Sequence, residues 1–457
     1  MRTILHVFLL LQLGASVCVA QWYPQSSGTT RNLNAVAFTD ANNGYAVGDS
    51  GVILHTSDAG LTWAEQTSGT VNHLYDLCFI DESTGFAIGD SGTILKTETG
   101  GSDWSQLSTG RDYALNSVCF VDAATGWVVG GTPYASMPTI LHTTNGGMEW
   151  SQQTYGDTIW LNDVYFVDVN SGWSVGWRGY PNPYEGIILR TTNGGADWTP
   201  QTSGTERVLR DVDFVDENVG WVVGGAIGPL PRAKTSHPVD DGPGIVLKTV
   251  DGGLTWTTQM DTLQEALFGV SFVDSSYGFA VGYCYSRFAS GALGGTIVYT
   301  TDGGVNWMSQ LNEDLSGFRD VDFIDANTGW VVGIYYDWDS VSGYSHSGKI
   351  LHTTNGGVTF VEGKQPGGVP TRLSLSQNYP NPFNPSTTIR YGIPHTSAVQ
   401  LSVFNTLGQQ VATLVQEEKE AGHYEVQFDA SGLSSGVYFY CLQAGGVVDV
   451  KRLMLLR

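Results

Sequence analysis

One eight-residue phrase is written seven times along this chain. It reads TTNGGMEW (143–150), TTNGGADW (191–198), TVDGGLTW (249–256) and TTDGGVNW (300–307), with looser copies TSDAGLTW (56–63), TETGGSDW (97–104) and TTNGGVTF (353–360). Aligning the copies exposes a longer unit. Each begins Leu-x-x-Val-x-Phe-x-Asp, as in LRDVDFVD (209–216) and LNDVYFVD (161–168). A short turn leads to Gly-aromatic, two small or apolar residues and Gly, as in TGWVVG (125–130 and 328–333). A variable loop, an apolar triplet such as TILKT, and the eight-residue phrase complete the unit. The Asp that closes the first segment falls at 40, 81, 122, 168, 216, 274 and 325, which makes seven units spaced 41 to 58 residues apart.

Period-two apolar patterning, β-branched residues and glycine punctuation make every segment of the unit a strand. Four short strands at this period describe a blade of a β-propeller. Seven blades closed into a ring leave no exposed sheet edge. The fold class is therefore all-β: a seven-bladed β-propeller over residues 21–362, followed by a second domain. The mature N-terminus reads WYPQSSGT (22–29), like WAEQTSGT (63–70) after the first phrase. That text predicts an N-terminal strand completing the last blade, and Phe360-Val361 competes for the same place.

Within the repeated phrase, Asp or Asn can hydrogen-bond the turn's own amides, and the glycine that follows accepts positive φ. The aromatic then fills an apolar pocket. Seven such turns pointing outward cannot converge on one substrate, so Asp58, Trp63, Asn145, Trp150, Asn193, Trp198, Asp251, Trp256, Asp302 and Trp307 are expected to be scaffold. The phrase resembles the Asp-box, or neuraminidase-type, repeat, Ser/Thr-x-Asp-x-Gly-x-Thr-Trp. Residues 56–63 and 249–256 match it in full; Thr99 and Phe360 depart from it. The whole unit is similar to the propellers of the photosystem II assembly and stability factor family, a resemblance that implies the fold and says little about activity.

Arg2 precedes the apolar run ILHVFLLLQLG and a small-residue stretch ending at Ala20, which predicts a secretory signal (residues 1–20) cut after Ala20. The run is shorter than the about 20 residues a membrane span needs, and no second run is longer. Acids outnumber bases 44 to 21, giving a formal charge of −23 that repels phosphate backbones, so nucleic acid is not an expected partner. The cysteines beyond the signal (Cys78, Cys119, Cys284, Cys441) form no metal or disulfide framework. Cys78 and Cys119 read as small core residues, with a 78–119 bridge as the other reading. No cofactor or metal is expected, and DWDS (337–340) lacks the ligand spacing of a calcium loop.

GKQPGGVPTR (363–372) is a linker by composition. Beyond it, alternating strands such as AVQLSVFN, HYEVQFDA and GVYFYCLQA predict a small Ig-like β-sandwich over 373–457. The motifs NYPNPFNPSTTI, VQLSVFNTLGQQVATL and GLSSGVYFY, with the terminal KRLMLLR, resemble the type A C-terminal sorting domain of type IX secretion cargo. That resemblance implies the type IX machinery as partner. It also implies export to the medium or cell surface, removal of the domain, and a terminal strand bearing Lys451, Arg452 and Arg457 that the translocon reads.

The connection between second and third strands is minimal in units one and two (GDSG at 48–51 and 89–92) and long in units three to seven. Long loops on a rigid frame are where binding usually resides. They carry Trp177, Arg178, Tyr180, Tyr184, Tyr285, Arg287, Tyr335, Tyr336 and Trp338, a set of aromatics and polar forks suited to sugar rings or an extended peptide. The competing reading is that the aromatics pack on one another to hold the loops. The second residue of each first segment varies (Asn34, Tyr75, Asn116, Asn162, Arg210, Phe268, Arg319), so Arg210 and Arg319 either line the channel mouth or pair with Asp211 and Asp320.

These features predict an exported binding module for a glycan or protein. The alternative is a glycoside hydrolase, since Asp-box propellers include sialidases and glucan hydrolases. The Arg-Ile-Pro text of sialidases is absent from the repeats, while Asp240, Asp241, Asp337 and Asp339 are candidate paired acids. A third reading, from the photosystem II resemblance, is an assembly factor that grips another exported protein.

Overall fold

The structure, a computed structural model, describes residues 22–455 apart from 109, 132–137, 179–184, 226–242, 264, 284–293, 312–315, 340–342, 358–373, 376–384, 406–407 and 446. Tyr180, Tyr184, Tyr285, Arg287, Asp240, Asp241, Cys284, Phe360 and Arg457 lie outside the described residues. The chain divides into two compact units, one spanning 18–360 and the other the residues from 361 onward. Regular structure among the described residues is strand, with short 3-10 turns at Asp49–Gly51 and Asp90–Gly92.

The first unit holds seven four-stranded antiparallel sheets. In blade 1 the strands are Leu33–Phe38, Gly44–Gly48, Ile53–Thr56 and Ala64–Gln66, hydrogen-bonded in that order. Blades 2 to 6 repeat the order from first strands at Leu74–Phe79, Leu115–Phe120, Trp160–Phe166, Leu209–Phe214 and Ala266–Phe272. Blade 7 takes Ser316–Phe323, Gly329–Asp339 and Gly343–Thr353 from the end of the unit and its outer strand, Tyr23–Ser26, from the N-terminus. The first strands touch one another in a closed cycle, blade 7 meeting blade 1, so they surround the axis.

Adjacent blades are joined by the same aromatic contact all round the ring. The aromatic that follows the second-strand glycine stacks on the phenylalanine that ends the first strand of the next blade. The pairs are Tyr45–Phe79, Phe86–Phe120, Trp127–Phe166, Trp173–Phe214, Trp221–Phe272, Phe279–Phe323 and Trp330–Phe38, with centroids 3.4 to 3.8 Å apart. The box tryptophan of the same blade meets that phenylalanine edge-on, as Trp198 meets Phe166 at 5.8 Å and 86°. The Gly of the Gly-aromatic pair is needed because the phenylalanine ring lies against it: a Cβ on Gly172 would overlap the Phe166 ring.

The box turns satisfy themselves. Thr56 Oγ1 accepts from the Gly60 amide and donates to Asp58, whose carboxylate accepts from the Thr62 amide and hydroxyl. Asn145, Asn193, Asp251 and Asp302 accept the corresponding amides of Glu149, Asp197, Thr255 and Asn306. Thr99, the departure in blade 2, does the same work with its hydroxyl for Asp103. The turn also binds the preceding blade: the indole N–H of Trp127 donates to Gly194 O at 3.0 Å, and that of Trp173 to Gly252 O at 3.0 Å.

The N-terminal strand closes the ring. Tyr23–Ser26 pairs with Lys349–His352. Trp22 stands edge-on to Phe323 at 5.9 Å and 90°, the geometry of a box tryptophan, and its indole donates to Gln310 Oε1. Trp22 therefore fills the aromatic slot of the seventh blade. Gln25 then reaches into blade 1, donating to Ala59 O and accepting from the Trp63 indole. Cys78 and Cys119 are unbridged thiols at one repeat position in neighbouring blades, and burial pushes the Cys78 thiol up to about 11.

The second unit has two sheets, one of Ser374–Leu375, Ser386–Ile393 and Gly422–Asp429 and one of Gln410–Lys419, Ser397–Asn405, Gly436–Ala444 and Val447–Leu455. Ile389, Tyr391 and Phe428 from the first share one core with Leu401, Val403, Tyr440, Leu442 and Leu453 from the second, which makes a sandwich. Lys451 and Arg452 lie on its final strand, opposite Tyr440 and Phe439.

Truncating the interblade phenylalanine removes both its contacts at once. We expect Phe166→Ala to cost about 3–5 kcal/mol in urea unfolding, the range for a large buried aromatic. Trp22→Ala should lower stability and increase protease cleavage near blade 7. Wild-type-like unfolding of both variants would show that the aromatic contacts do not hold the ring.

Candidate functional site

Each first strand carries a bulge between its Leu-type residue and the third position, as between Leu33 and Ala35 or Leu209 and Asp211. A bulge adds one residue and re-aims its side chain. The extra residues are the variable set Asn34, Tyr75, Asn116, Asn162, Arg210, Phe268 and Arg319. They sit where the first strand begins, beside the second-to-third connection, since Leu33 pairs with Gly48 just before the Asp49–Gly51 turn. This is the mouth of the axis on the long-loop face.

Three of the seven are ties between blades. The amides of Asn34, Asn116 and Asn162 donate to the carbonyls of Leu74, Leu161 and Leu209 at 2.6 to 2.7 Å. The other four differ in kind. The Arg210 guanidinium lies 4.2 Å from the Phe268 ring, which stacks on buried Tyr283 at 4.5 Å. Tyr75 donates its phenol to Asp90 at 2.9 Å and feels the charge of Arg319. Asp49 accepts from Asn32 and Asn34, with His73 3.0 Å away. Two guanidinium groups, a phenol and an aromatic face thus share one mouth with two carboxylates.

Below the mouth, acids at the third and fifth positions cross to the next blade. Asp320 and Asp322 accept the amides of Val36 and Phe38 at 2.8 and 2.6 Å. Asp76 accepts from Val118, Asp163 from Val212, Asp211 from Val270 and Asp213 from Phe272. Ser117 and Ser271 do the same for Val164 and Phe323. These amides belong to the inner edge of each sheet, where no strand follows, and unpaired donors there are costly. Sequence reasoning missed this ring. Its signal was visible, as acids alternating with apolar residues in LRDVDFVD.

Enclosure among the blades pushes the Asp76 and Asp213 carboxyls up to about 7 and Asp322 to about 6. Asp211 and Asp320 are raised as well, chiefly by burial. The neighbouring Asp163 carboxyl adds to the rise at Asp211.

The long-loop residues divide. Trp177 is 9% exposed, stacks on Trp160 at 5.3 Å and packs against Val208, so it supports the blade 4 hairpin. Arg178 bridges Asp157 at 3.1 Å and Glu185 at 2.8 Å on the surface. Tyr335 is half-buried under the Lys349 ammonium, 5.2 Å from its ring. Tyr336 and Trp338 continue the same blade 7 strand, opposite His346 and Tyr344. Asp211 and Asp320 turn to the next blade's amides, as described. Among the described residues no cluster of His, Cys, Asp and Glu has metal-site geometry.

Residues 63–159 match the family model of the photosynthesis system II assembly factor YCF48, and residues 377–455 that of the secretion system C-terminal sorting domain. The chain joins a YCF48-like propeller to a type IX secretion tail. Solved structures similar to it include YCF48 bound to D1 peptide (TM-score 0.52, 16% identity, 73% of this chain and 96% of that one) and YCF48 from Cyanidioschyzon merolae (TM-score 0.51, 18% identity, 72% and 98%). U3-55K reaches a TM-score of 0.52 at 9% identity over 73% of this chain and 98% of its own, so these likenesses speak to fold alone. Comparison with the curated proteins gives no match. The sorting domain sends the YCF48-like propeller to the cell surface or the extracellular space. No helix among the described residues is long and apolar enough to cross a membrane.

The raised carboxyls make stability depend on pH. Unfolded aspartates ionise near about 3.9, so between about 4 and 7 the folded ring holds protons that the unfolded chain has lost. These groups contribute fully below that window, and the contribution is lost as pH rises through it. The box acids Asp58, Asp251 and Asp302 have lowered pKa values and act in the opposite sense, at lower pH. We expect the melting temperature to fall between pH 5 and 8 and the slope to flatten in Asp76→Asn and Asp213→Asn, read by calorimetry. A flat or rising profile would contradict the assignment.

Proposed function

We propose that the protein is an exported binding module whose propeller captures an extracellular glycan or protein on its long-loop face, around the mouth lined by Tyr75, Arg210, Phe268 and Arg319. One observation carries this reading. Seams and box turns repeat the same self-satisfying contacts round the ring, while chemical variation is concentrated at the bulge residues and the second-to-third connections of one face. A planar guanidinium beside an aromatic face suits carboxylates, acidic sugars and peptide backbones.

Among the described residues no comparable observation supports the hydrolase reading. A glycosidase needs its two carboxyls about 5 Å or more apart with substrate between them. The acids brought together here accept amides of the next blade, as Asp76, Asp163 and Asp211 do. The assembly-factor reading is one form of the binding module, with a protein as ligand.

The test is a screen of glycans and extended peptides on the full mature chain beside Arg210→Ala and Arg319→Ala. A ligand held by the parent should bind at least about tenfold more weakly to a variant, since a charge-assisted hydrogen bond is worth about 1.5–3 kcal/mol. Equal binding by parent and both variants, with unchanged melting, would move the site away from the mouth.

A further inference from the structure

Blade 1 arranges its part of the mouth differently from the other blades that carry an asparagine bulge. Asn34 makes the tie seen at Asn116 and Asn162: its Nδ2 donates to the next blade, to Leu74 O at 2.7 Å. Blade 1 adds a carboxylate. Asp49 follows the second-strand glycine Gly48, whereas Gly131 and Trp177 follow Gly130 and Gly176 in blades 3 and 4. Asp49 gathers two amides, its Oδ2 accepting from Asn32 Nδ2 at 2.7 Å and its Oδ1 from Asn34 Nδ2 at 3.3 Å. The Asp49 main-chain amide in turn donates to Asn32 O at 3.0 Å, so the turn and the strand entry hold one another in place.

Both side-chain amides commit their nitrogens in this way and keep an oxygen over. Asn32 Oδ1 and Asn34 Oδ1 are buried, and no donor among the described residues meets either one. Asn34 is 9% exposed, and a buried acceptor without a donor is costly. Two such oxygens, on amides bound to one carboxylate, call for donors from outside the chain.

The surroundings indicate what kind of donor fits. Asp49 Oδ1 also lies 3.0 Å from His73 Nδ1, and that nitrogen accepts the Ser50 amide at 3.3 Å. Asp90, at the same position in blade 2, accepts the Tyr75 phenol at 2.9 Å. The charges of Asp49, Asp90 and Arg319 all act on that phenol, so two carboxylates meet one guanidinium in this sector, on a chain of net charge −23. A hydroxyl brings a single donor. A protonated primary amine brings three donors and no acceptor, which matches two amide oxygens and a carboxylate and offsets the local negative charge.

We propose that Asn32, Asn34 and Asp49 form an ammonium subsite in the blade 1 sector of the mouth: a protonated primary amine of the ligand donates to the two amide oxygens and to the Asp49 carboxylate. The inference rests on the reading of the mouth as the binding site and names one chemical group of its ligand. That group occurs on a lysine side chain and on an amino sugar.

The probes are a capped pentapeptide, Gly-Gly-Lys-Gly-Gly, and a glucosamine tetramer, each beside its fully N-acetylated form. They are titrated calorimetrically against the full mature chain at near-physiological salt, which screens the general attraction of an acidic chain for cations. Two variants accompany them, Asp49→Asn and Asn32→Leu. We expect a free amine to bind, and both N-acetylation and Asp49→Asn to weaken it at least about tenfold, since each removes the charge from one side of the bond. Asn32→Leu should weaken it about two- to tenfold, as loss of an ordinary hydrogen bond does. Binding of the peptide alone assigns the amine to a protein ligand, and binding of the tetramer alone to a glycan. Equal binding of free and acetylated forms, binding of neither amine, or binding indifferent to both variants at unchanged melting temperature overturns the proposal. Where a variant loses stability, the free and acetylated probes on the parent decide. Failure of both amines beside a screened ligand that responds to Arg210→Ala overturns the ammonium subsite and leaves the mouth as the binding site.

Discussion

A phenylalanine at the end of each first strand carries the ring. One face of it is covered by an aromatic from the preceding blade and its edge by the tryptophan of its own blade, as Phe166 is held by Trp127 and Trp198. Two of the strongest sequence signals follow from that contact. The glycine before each second-strand aromatic leaves room for the ring, and the box turn places its tryptophan and offers a carbonyl to the neighbour's indole. Aromatic pairs contribute about 0.5–1.5 kcal/mol beyond the area they bury. Repeated seven times and closed on itself, the contact leaves no terminal blade, provided the chain can supply a tryptophan where its seventh box has Phe360. Trp22 supplies it.

The axis presents the opposite problem. Inner strands have an edge with nowhere to pair, and their amides are answered by aspartate and serine side chains from the blade before. Each acid gains an amide partner and loses water, so its charge is disfavoured while its hydrogen bond is kept. The carboxylates are thereby committed to the scaffold. The binding site proposed above therefore falls on the face where the repeat is broken, at the bulge residues that are not asparagine ties and the connections that outgrow the minimal turn.

Much of this could be read before any coordinates. The number of blades, the turn hydrogen bonds of Asp58, Asn145 and their counterparts, the sandwich and its secretion motifs all rest on spacing and local turn chemistry, which act within a few residues. Trp177 was less legible. Its text, GWRGY, has the look of an exposed platform, yet Trp160, which opens the first strand of the same blade, covers it. The two rings meet because Trp160 pairs across from Trp177 in the sheet, a relation set by register rather than by either local sequence. The acidic ring was overlooked for a similar reason. Alternating acids in a strand read as a solvated face until the ring closes and that face meets another blade.

The sequence by itself determined the repeat, its period and the chemistry of its turns, because hydrogen bonds such as Thr56 to Asp58 span two to four residues. It also posed the closing of the ring as a choice between two segments of similar text. Tertiary structure decided that choice for residues 22–26, since only with the N-terminal strand docked on the last blade can Trp22 reach Gln310 of blade 6 and Gln25 reach Ala59 of blade 1. It likewise decided that Asn34, Asn116 and Asn162 tie neighbouring blades. Those outcomes depend on groups tens to hundreds of residues apart being brought within hydrogen-bond distance, and no local pattern records them.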